Sequence, residues 1–332
     1  MIARASAGSR CRWCAVTFRG ALLVAACWAL RRELAGIRPA DLVARLAAYG
    51  LPHVALGLAC TAASFLVLGA IEVAALRQAA GESSTDVPRR AAMTTAFVAN
   101  AFSQSIGLAL LTGAAVRLRA YVRHGLDAAA VARVTGVVTL TTTLGLVAAG
   151  AAALLASTAP LHVQGVALAV RPAGAVLALL VLAYLTWSLV GRGEALGRGR
   201  WSLPRPSATL AAAQVGLSAL DWLLTGTVLF AFVPAALGVG YWALLRAYMI
   251  AQTVGMTSHV PAGAGVLELV MLALLAGAAP AAARAAVVAS LVMFRVVYYV
   301  MPLVVAVVVA GAAELRSPTR PAAGALEGAR AG

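Results

Sequence analysis

The sequence predicts an all-α fold, a polytopic integral membrane helical bundle of about six to eight membrane segments with two broken or re-entrant elements. Of its 332 residues, 62% are hydrophobic and only 11% are charged, and the mean hydropathy is +0.92. Residues 134–170 and 296–313 contain no Arg, Asp or Glu, and each run exceeds the ~20 residues that cross a hydrocarbon core. Such a composition excludes a soluble enzyme.

Apolar runs and the polar segments between them predict each element in turn. A basic start and the following Arg31 and Arg32 indicate an uncleaved first span rather than a signal peptide. Pro52 and the polar segment 78–90 bound the second span. Basic, Gly-rich or Pro-rich loops separate the others. In chain order, the predicted segments are residues 16–30, 51–76, 91–116, 134–159, 173–190, 207–233, 241–277 and 285–313.

The arginines predict which segments are cytoplasmic, because short cytoplasmic loops are enriched in basic residues. Segments 117–133 and 191–206 carry four Arg each and the tail 316–332 carries three, whereas 234–240 carries none. Segments 78–90 and 117–133 are both basic yet flank a single apolar stretch. The stretch 91–116 is therefore predicted to be re-entrant. Its partner, 241–277, is predicted to enter from the opposite face, although this scheme places the four Arg of 31–49 outside.

Three parts make up the predicted domain organisation. They are a cytoplasmic N-terminal segment 1–14, a transmembrane domain 15–315 and a disordered cytoplasmic tail 316–332. The net charge of +15 follows from loop arginines, so nucleic acid is not expected as a partner. No metal site, cofactor or catalytic residue is expected, and the chain is not predicted to be an enzyme. There is no Walker motif, and the four histidines lie on separate segments: His53, His124, His162 and His259.

The first group of candidate binding residues lies around the re-entrant stretch. Asn100 and Gln104 are four residues apart, so a helix places both amides on one face. They are either substrate ligands or hydrogen-bonding contacts between helices. Arg117, Arg119 and Tyr121 follow. The two guanidinium groups suit phosphate oxygens, and the alternative is that they only mark the cytoplasmic surface.

The second group lies around a helix break. Pro261, Gly263 and Gly265 interrupt an apolar stretch, and Glu268 follows three residues later. A carboxylate at membrane depth is destabilising by several kcal/mol unless it is paired or lines a wet cavity. Broken backbone at that depth likewise needs polar partners. Charge and break together indicate a transporter-like binding site.

Asp221 and Arg295 also lie within apolar spans, and Glu72 lies near the end of another. Arg295 and Glu268 either neutralise one another as a structural pair or contact a lipid headgroup. Tyr298 and Tyr299 follow Arg295 and are candidates to line the same cavity.

These motifs, in this order, resemble one family, the transmembrane flippase-like domain of lysylphosphatidylglycerol synthases, also called the multiple peptide resistance factor family. The resemblance covers residues 15–315 and implies movement of an aminoacylated phospholipid between leaflets. The synthase domain of that family is not expected here, so synthesis is not implied. Ala262 and Glu72 depart from the family pattern. The motifs are Asn100 to Gly107, Arg117-x-Arg119-x-Tyr121, Asp221-Trp222, Pro261-x-Gly263-x-Gly265-Val-x-Glu268, and Phe294-Arg295-x-x-Tyr298-Tyr299-x-x-Pro302.

The sequence therefore predicts a lipid or lipid-linked headgroup transporter of the bacterial inner membrane, with a membrane phospholipid or lipid-linked molecule as its partner. Arg117, Arg119 and Arg295 would hold phosphate, and Glu268 with Asp221 would meet an amine or hydroxyls. The alternative is a non-transporting scaffold or accessory subunit for a separate envelope lipid synthase or glycosyltransferase. A third function, that of an enzyme acting on lipid phosphates, would require an acid/base pair or metal ligands, and the sequence does not offer such a set.

Overall fold

The computed structural model describes residues 49–80, 87–106, 109–157, 161–163, 166–191, 195–196, 203–257, 265–276 and 280–316. The predicted first span, the segment 1–14 and residues 317–332 of the predicted tail lie outside these ranges.

The described ranges form an all-α fold, as predicted. Two short antiparallel strand pairs lie in loops: β1 (Leu161–Val163) with β2 (Val166–Leu168), and β3 (Ala195–Leu196) with β4 (Leu203–Pro204). The helices are α1 (Leu51–Ala80), α2 (Arg89–Ile106), α3 (Ala109–Val122), α4 (Ala128–Ala156), α5 (Arg171–Val190), α6 (Ala208–Phe230), α7 (Tyr241–Thr257), α8 (Val266–Ala276), α9 (Ala281–Arg295) and α10 (Met301–Arg316), with a 3-10 turn Ala235–Leu237 and a π-helical turn Val296–Val300.

Five helical stretches in the described ranges are long and apolar enough to cross a membrane. They are Leu51–Ala79, Ala128–Ala156, Arg171–Val190, Ala208–Phe230 and Ala283–Ala312. They coincide with the five uninterrupted spans predicted after residue 50. The two interrupted stretches form helix pairs instead.

The first helix pair, α2 and α3, packs together, with α2 ending at Ile106 and α3 beginning at Ala109. Between the two helices, Thr112 Oγ1 donates to Ser103 Oγ at 3.3 Å. A Cβ at Gly113 would lie 2.9 Å from both Ser103 Oγ and Arg117 Nη1, so a larger residue there would require these side chains to shift. The stretch predicted to be re-entrant therefore contains two packed helices.

The second helix pair, α7 and α8, also packs together. Helix α7 ends at Thr257 and α8 begins at Val266. Pro261 and Gly263, which are part of the predicted break, fall outside the described residues. Three membrane-length helices, α4, α5 and α6, separate the two pairs along the chain. If each of these three helices crosses the membrane once, the chain moves from one face to the other between the two pairs. The two helix pairs then enter the membrane from opposite faces, as the arginine distribution predicts.

Helix α1 lies at the centre and packs against α2, α4 and α6. The contact between α4 and α6 is especially close, because a Cβ at Gly145 would lie 1.9 Å from Ser218 Oγ. Small residues allow such close helix packing in membranes, where the hydrophobic effect does not drive association. Next to this contact, Trp222 Nε1 donates to the Thr142 carbonyl at 3.1 Å.

The last span contains a π-helical turn between α9 and α10. Its defining hydrogen bond runs from Met301 N–H to the Val296 carbonyl, one residue farther back than in an α-helix. Pro302 follows directly and has no N–H to donate, and its ring conflicts with the carbonyl four residues earlier. The wide turn accommodates this proline within a continuous span. Arg295, Tyr298 and Tyr299 are presented by this irregular segment.

Candidate functional site

An ion pair joins the start of α8 to the end of α9. Glu268 Oε1 accepts a hydrogen bond from Arg295 Nε, and the two side chains are 25% and 10% exposed. The Arg295 guanidinium carbon also lies 5.6 Å from the centre of the Tyr299 ring, a cation–π distance. The sequence left open whether these residues pair with each other or bind a headgroup. The structure has them paired.

Glu268 also caps the helix on which it lies. Its Oε2 accepts from the backbone N–H of Gly265 at 2.7 Å. Gly265 has φ +83, a left-handed conformation that glycine adopts without strain. The side chain thus reaches back from the third helical position to the cap, as in a capping box. A carboxylate is also favoured there by the helix dipole.

A second polar cluster joins α1, α6 and the π-helical turn. The Asp221 carboxylate is 6% exposed and accepts a hydrogen bond from Ser64 Oγ. Ser64 Oγ is in turn 2.9 Å from the Tyr298 hydroxyl, to which Thr225 Oγ1 donates at 2.9 Å. Asp221 and Tyr298, two predicted site residues, are therefore linked through two hydroxyl side chains that the sequence did not single out.

Aromatic rings connect this cluster to the ion pair. The Phe294 ring stacks on Tyr298 at 5.5 Å and meets Tyr299 edge-on at 5.7 Å. Tyr248, on α7, packs on Phe294 at 5.6 Å and on Trp222 at 6.3 Å. Tyr248 is completely buried, and its hydroxyl has no hydrogen-bond partner in the described structure. We call the group formed by Asp221, Tyr248, Glu268, Arg295, Tyr298 and Tyr299 the central cluster.

A third cluster joins α1 to α3. Arg117 Nε and Nη2 both donate to the Glu72 carboxylate, at 2.7 to 3.0 Å, and the Tyr121 hydroxyl donates to Glu72 Oε1 at 2.7 Å. The Arg117 and Glu72 side chains are 6% and 0% exposed. Arg117 was predicted to be a phosphate ligand or a marker of the surface. In this structure it is buried and directed at Glu72, and phosphate binding by Arg117 stays a prediction.

The remaining predicted residues of the first group lie on α2 and α3. Arg119 is half-buried on α3. Asn100 Nδ2 donates to the Ala96 carbonyl of its own helix at 2.8 Å, and Gln104 Oε1 is buried without a partner. Whether these residues contact a substrate stays a prediction.

Four residues of these clusters were not among the predicted binding residues: Ser64, Glu72, Thr225 and Tyr248. Glu72 was noted in the sequence as a charge in an apolar span, which requires a partner. The other three carry no such signal, because hydroxyl residues are common in membrane helices and their neighbours depend on helix packing.

Two relatives match parts of the chain. The uncharacterized protein slr0712 of Synechocystis is 32% identical over 185 residues, which cover 54% of this chain and 56% of that protein. The inner membrane protein YbhN of Escherichia coli is 27% identical over 243 residues, covering 73% and 71%. The chain thus spans just over half the length of the Synechocystis relative. No protein-family model matches the chain, so the likeness to lysylphosphatidylglycerol synthases rests on the motifs alone.

The similarity to an inner membrane protein and the membrane-length helices both indicate the same cellular location. The chain is a multi-pass protein of the inner membrane.

Proposed function

We propose that this protein moves a lipid or a lipid-linked headgroup between the leaflets of the bacterial inner membrane, without changing it covalently. The observation that carries the proposal is the Glu268–Arg295 pair. It lies where α8 begins, and Tyr299, Phe294 and Tyr298 connect it to the buried cluster that contains Asp221. Ionisable residues inside membrane helices mark substrate pathways more often than they serve packing.

A phospholipid headgroup offers a replacement partner for each member of this pair. Its phosphate matches the guanidinium of Arg295 and the positive end of α8, where backbone N–H groups favour anions. Its amine or hydroxyls match the Glu268 carboxylate. Headgroup binding thus exchanges one set of ionic contacts for another, and neither charge is left bare in the membrane.

The two helix pairs support a route for the headgroup. Pairs that enter from opposite faces each bring helix ends to mid-membrane, where polar groups can replace the water around a headgroup while the acyl chains stay in lipid. Arg117 stabilises the first pair through Glu72 in this proposal, and Arg295 takes the role of phosphate ligand.

A leaflet-exchange assay in proteoliposomes tests the proposal. Fluorescent phospholipid analogues would be scored for exchange in vesicles with wild type, with Glu268→Gln, and without protein. We expect fast exchange in wild type and near-background exchange in Glu268→Gln, with both proteins monodisperse. Asp127→Asn is the matched control, because Asp127 caps α4 outside the central cluster. Equal exchange in wild type and empty vesicles for every headgroup tested would overturn the proposal.

The second candidate function is a membrane scaffold or accessory subunit for a separate lipid synthase or glycosyltransferase. Mutual pairing favours it, since Glu72 with Arg117 and Glu268 with Arg295 both satisfy their charges internally. If Glu268→Gln prevents folding and the double variant Glu268→Gln/Arg295→Met restores it without exchange activity, the pair is structural. A synthase or glycosyltransferase that co-purifies with wild type would then support the scaffold.

A further inference from the structure

Asp221 is a further carboxylate in the membrane interior, and its surroundings differ from those of Glu72 and Glu268. It lies on α6, Ala208–Phe230, about 20 Å along the axis from the start and about 14 Å from the end at 1.5 Å per residue. This is the depth at which a charge is least tolerated.

No cation pairs with Asp221 in the part of the chain that the structure describes. Its side-chain partner is the Ser64 hydroxyl. Two buried arginines pair with other carboxylates, Arg117 with Glu72 and Arg295 with Glu268.

The ionisable groups on the elements around α6 include phenols and charged side chains. Tyr298, on the π-helical turn, is linked to Asp221 through Ser64, and Tyr248, on α7, packs on the neighbouring Trp222. Toward one end of α6, Tyr184 on α5 donates to Gln214. The charged residues on these elements are Glu72 and Arg77 on α1, Arg133 on α4, which donates to the Ala79 carbonyl, Arg171 on α5, Arg246 on α7, and Arg284 and Arg295 on α9.

The hydroxyl groups around Asp221 form a connected hydrogen-bonded cluster. Ser64 Oγ contacts both Asp221 Oδ1 and the Tyr298 hydroxyl. Thr225 Oγ1 lies 2.9 Å from the Tyr298 hydroxyl and 2.9 Å from the Asp221 carbonyl oxygen. The side-chain contacts of Asp221 are thus with neutral hydroxyl groups.

These hydrogen bonds do not replace the missing cation. A buried ionised carboxylate that lacks an ion-pair partner is destabilising by several kcal/mol even after relaxation. A buried acid in this situation retains its proton, and it ionises only when water reaches it. The buried hydroxyl of Tyr248, which has no partner among the described residues, is a further polar group of the central cluster that an entering water or headgroup would satisfy.

We propose that Asp221 is a proton-carrying site that couples the movement of the lipid headgroup to the proton gradient. In the closed state described here the carboxyl is neutral. When the central cluster opens to water on one side, the O–H bond breaks, the electron pair stays on the carboxylate oxygen and the proton passes to water. On opening to the other side, the carboxylate takes a proton from water. This inference rests on the proposed function and adds its driving force.

Infrared spectroscopy tests the protonation step on purified protein, independently of transport. At neutral pH, wild type should show the carbonyl stretch of a buried protonated carboxylic acid, and Asp221→Asn should lack it. Asp127→Asn should retain the band, because Asp127 lies outside the central cluster. If Asp221→Asn leaves the carboxylic acid region of the spectrum unchanged, the inference is overturned.

Proteoliposomes with an imposed pH gradient test the coupling. With one proton per lipid, a gradient of one pH unit should shift the leaflet distribution by up to about tenfold at equilibrium, since 1.4 kcal/mol corresponds to a factor of ten. Asp221→Asn should abolish this shift and Asp221→Glu should preserve it. Wild type that exchanges lipid without responding to the gradient would overturn the coupling and leave the proposed function standing. Wild type that exchanges no lipid would overturn both.

Discussion

Arg117 binds both carboxylate oxygens of Glu72, and this buried pair ties the first helix pair to the central helix α1. Such an arrangement is stable only as a unit. The attraction between the two charges offsets their loss of hydration, whereas one of them alone has no compensation.

Removing one member of this pair is therefore expected to destabilise the protein strongly. Glu72→Ala should lower the free energy of unfolding by about 3–5 kcal/mol, because it leaves a buried guanidinium unpaired. The double variant Glu72→Leu/Arg117→Met should recover most of this loss. Thermal unfolding in detergent provides the measurement, and Arg171→Gln, at an exposed residue, is the control. A double variant as unstable as Glu72→Ala would contradict the expectation.

The Glu72–Arg117 pair also shows what a single sequence does not predict, namely which charged residues pair with each other. Both charges are visible in the sequence, and both need partners at membrane depth. They are 45 residues apart on different helices, however, and the hydropathy of α1 and α3 does not specify which faces meet. Pairing of Arg295 with Glu268 could be raised as one of two alternatives, because few charges are available near the second break.

The breaks and spans themselves were accessible from the sequence. Long uncharged runs and proline or glycine interruptions act locally, so they predict where helices form and where they end. The contacts of Ser64 with Asp221 and of Tyr248 with Phe294 depend instead on how α1, α6, α7 and α9 pack. A single sequence gives no measure of that packing.

The close contact of α4 with α6 predicts a strong effect of one methyl group. Gly145→Ala places a Cβ 1.9 Å from Ser218 Oγ and 2.5 Å from the Ser218 carbonyl carbon. The helices must separate, and the overpacking should cost about 1–3 kcal/mol. Gly216→Ala is the matched control, because a Cβ there meets nothing within 4 Å, and it should be neutral or stabilise by about 0.5–1 kcal/mol. Equal unfolding temperatures for the two variants would contradict this contact.

Removing the Tyr248 hydroxyl distinguishes a role of this residue in packing from a role in headgroup binding. This hydroxyl has no partner in the described structure, so Tyr248→Phe should leave the unfolding temperature unchanged or raise it, since a buried hydroxyl without a partner is unfavourable. Lipid exchange should nevertheless fall if the hydroxyl meets a headgroup. Tyr241→Phe is the control, because it loses a 2.9 Å hydrogen bond to the Leu223 carbonyl and should be destabilised. Unchanged exchange in Tyr248→Phe would remove that residue from the proposed binding site.

The predicted topology can be checked with single cysteines. In a background with Cys11, Cys14, Cys27 and Cys60 replaced, a membrane-impermeant maleimide should label Ala236→Cys in cells whose outer membrane has been permeabilised. Ala129→Cys should react only after the inner membrane is opened. Both positions are exposed in the structure. Labelling of both before lysis would contradict the predicted arrangement of α4, α5 and α6.

The π-helical turn at Val296–Val300 has a consequence for the order of residues along the last span. It holds one residue more than an α-helical turn, so the chain beyond it is displaced by about 100° around the axis relative to an uninterrupted α-helix. Helix α9 can thus direct Arg295 toward α8 while α10 turns its own contact face to α2. Deleting a single residue here would restore the regular α-helical periodicity. The helix could then keep either the direction of Arg295 toward α8 or the contact of α10 with α2, but not both. The insertion lets one continuous helix serve both helix pairs at once.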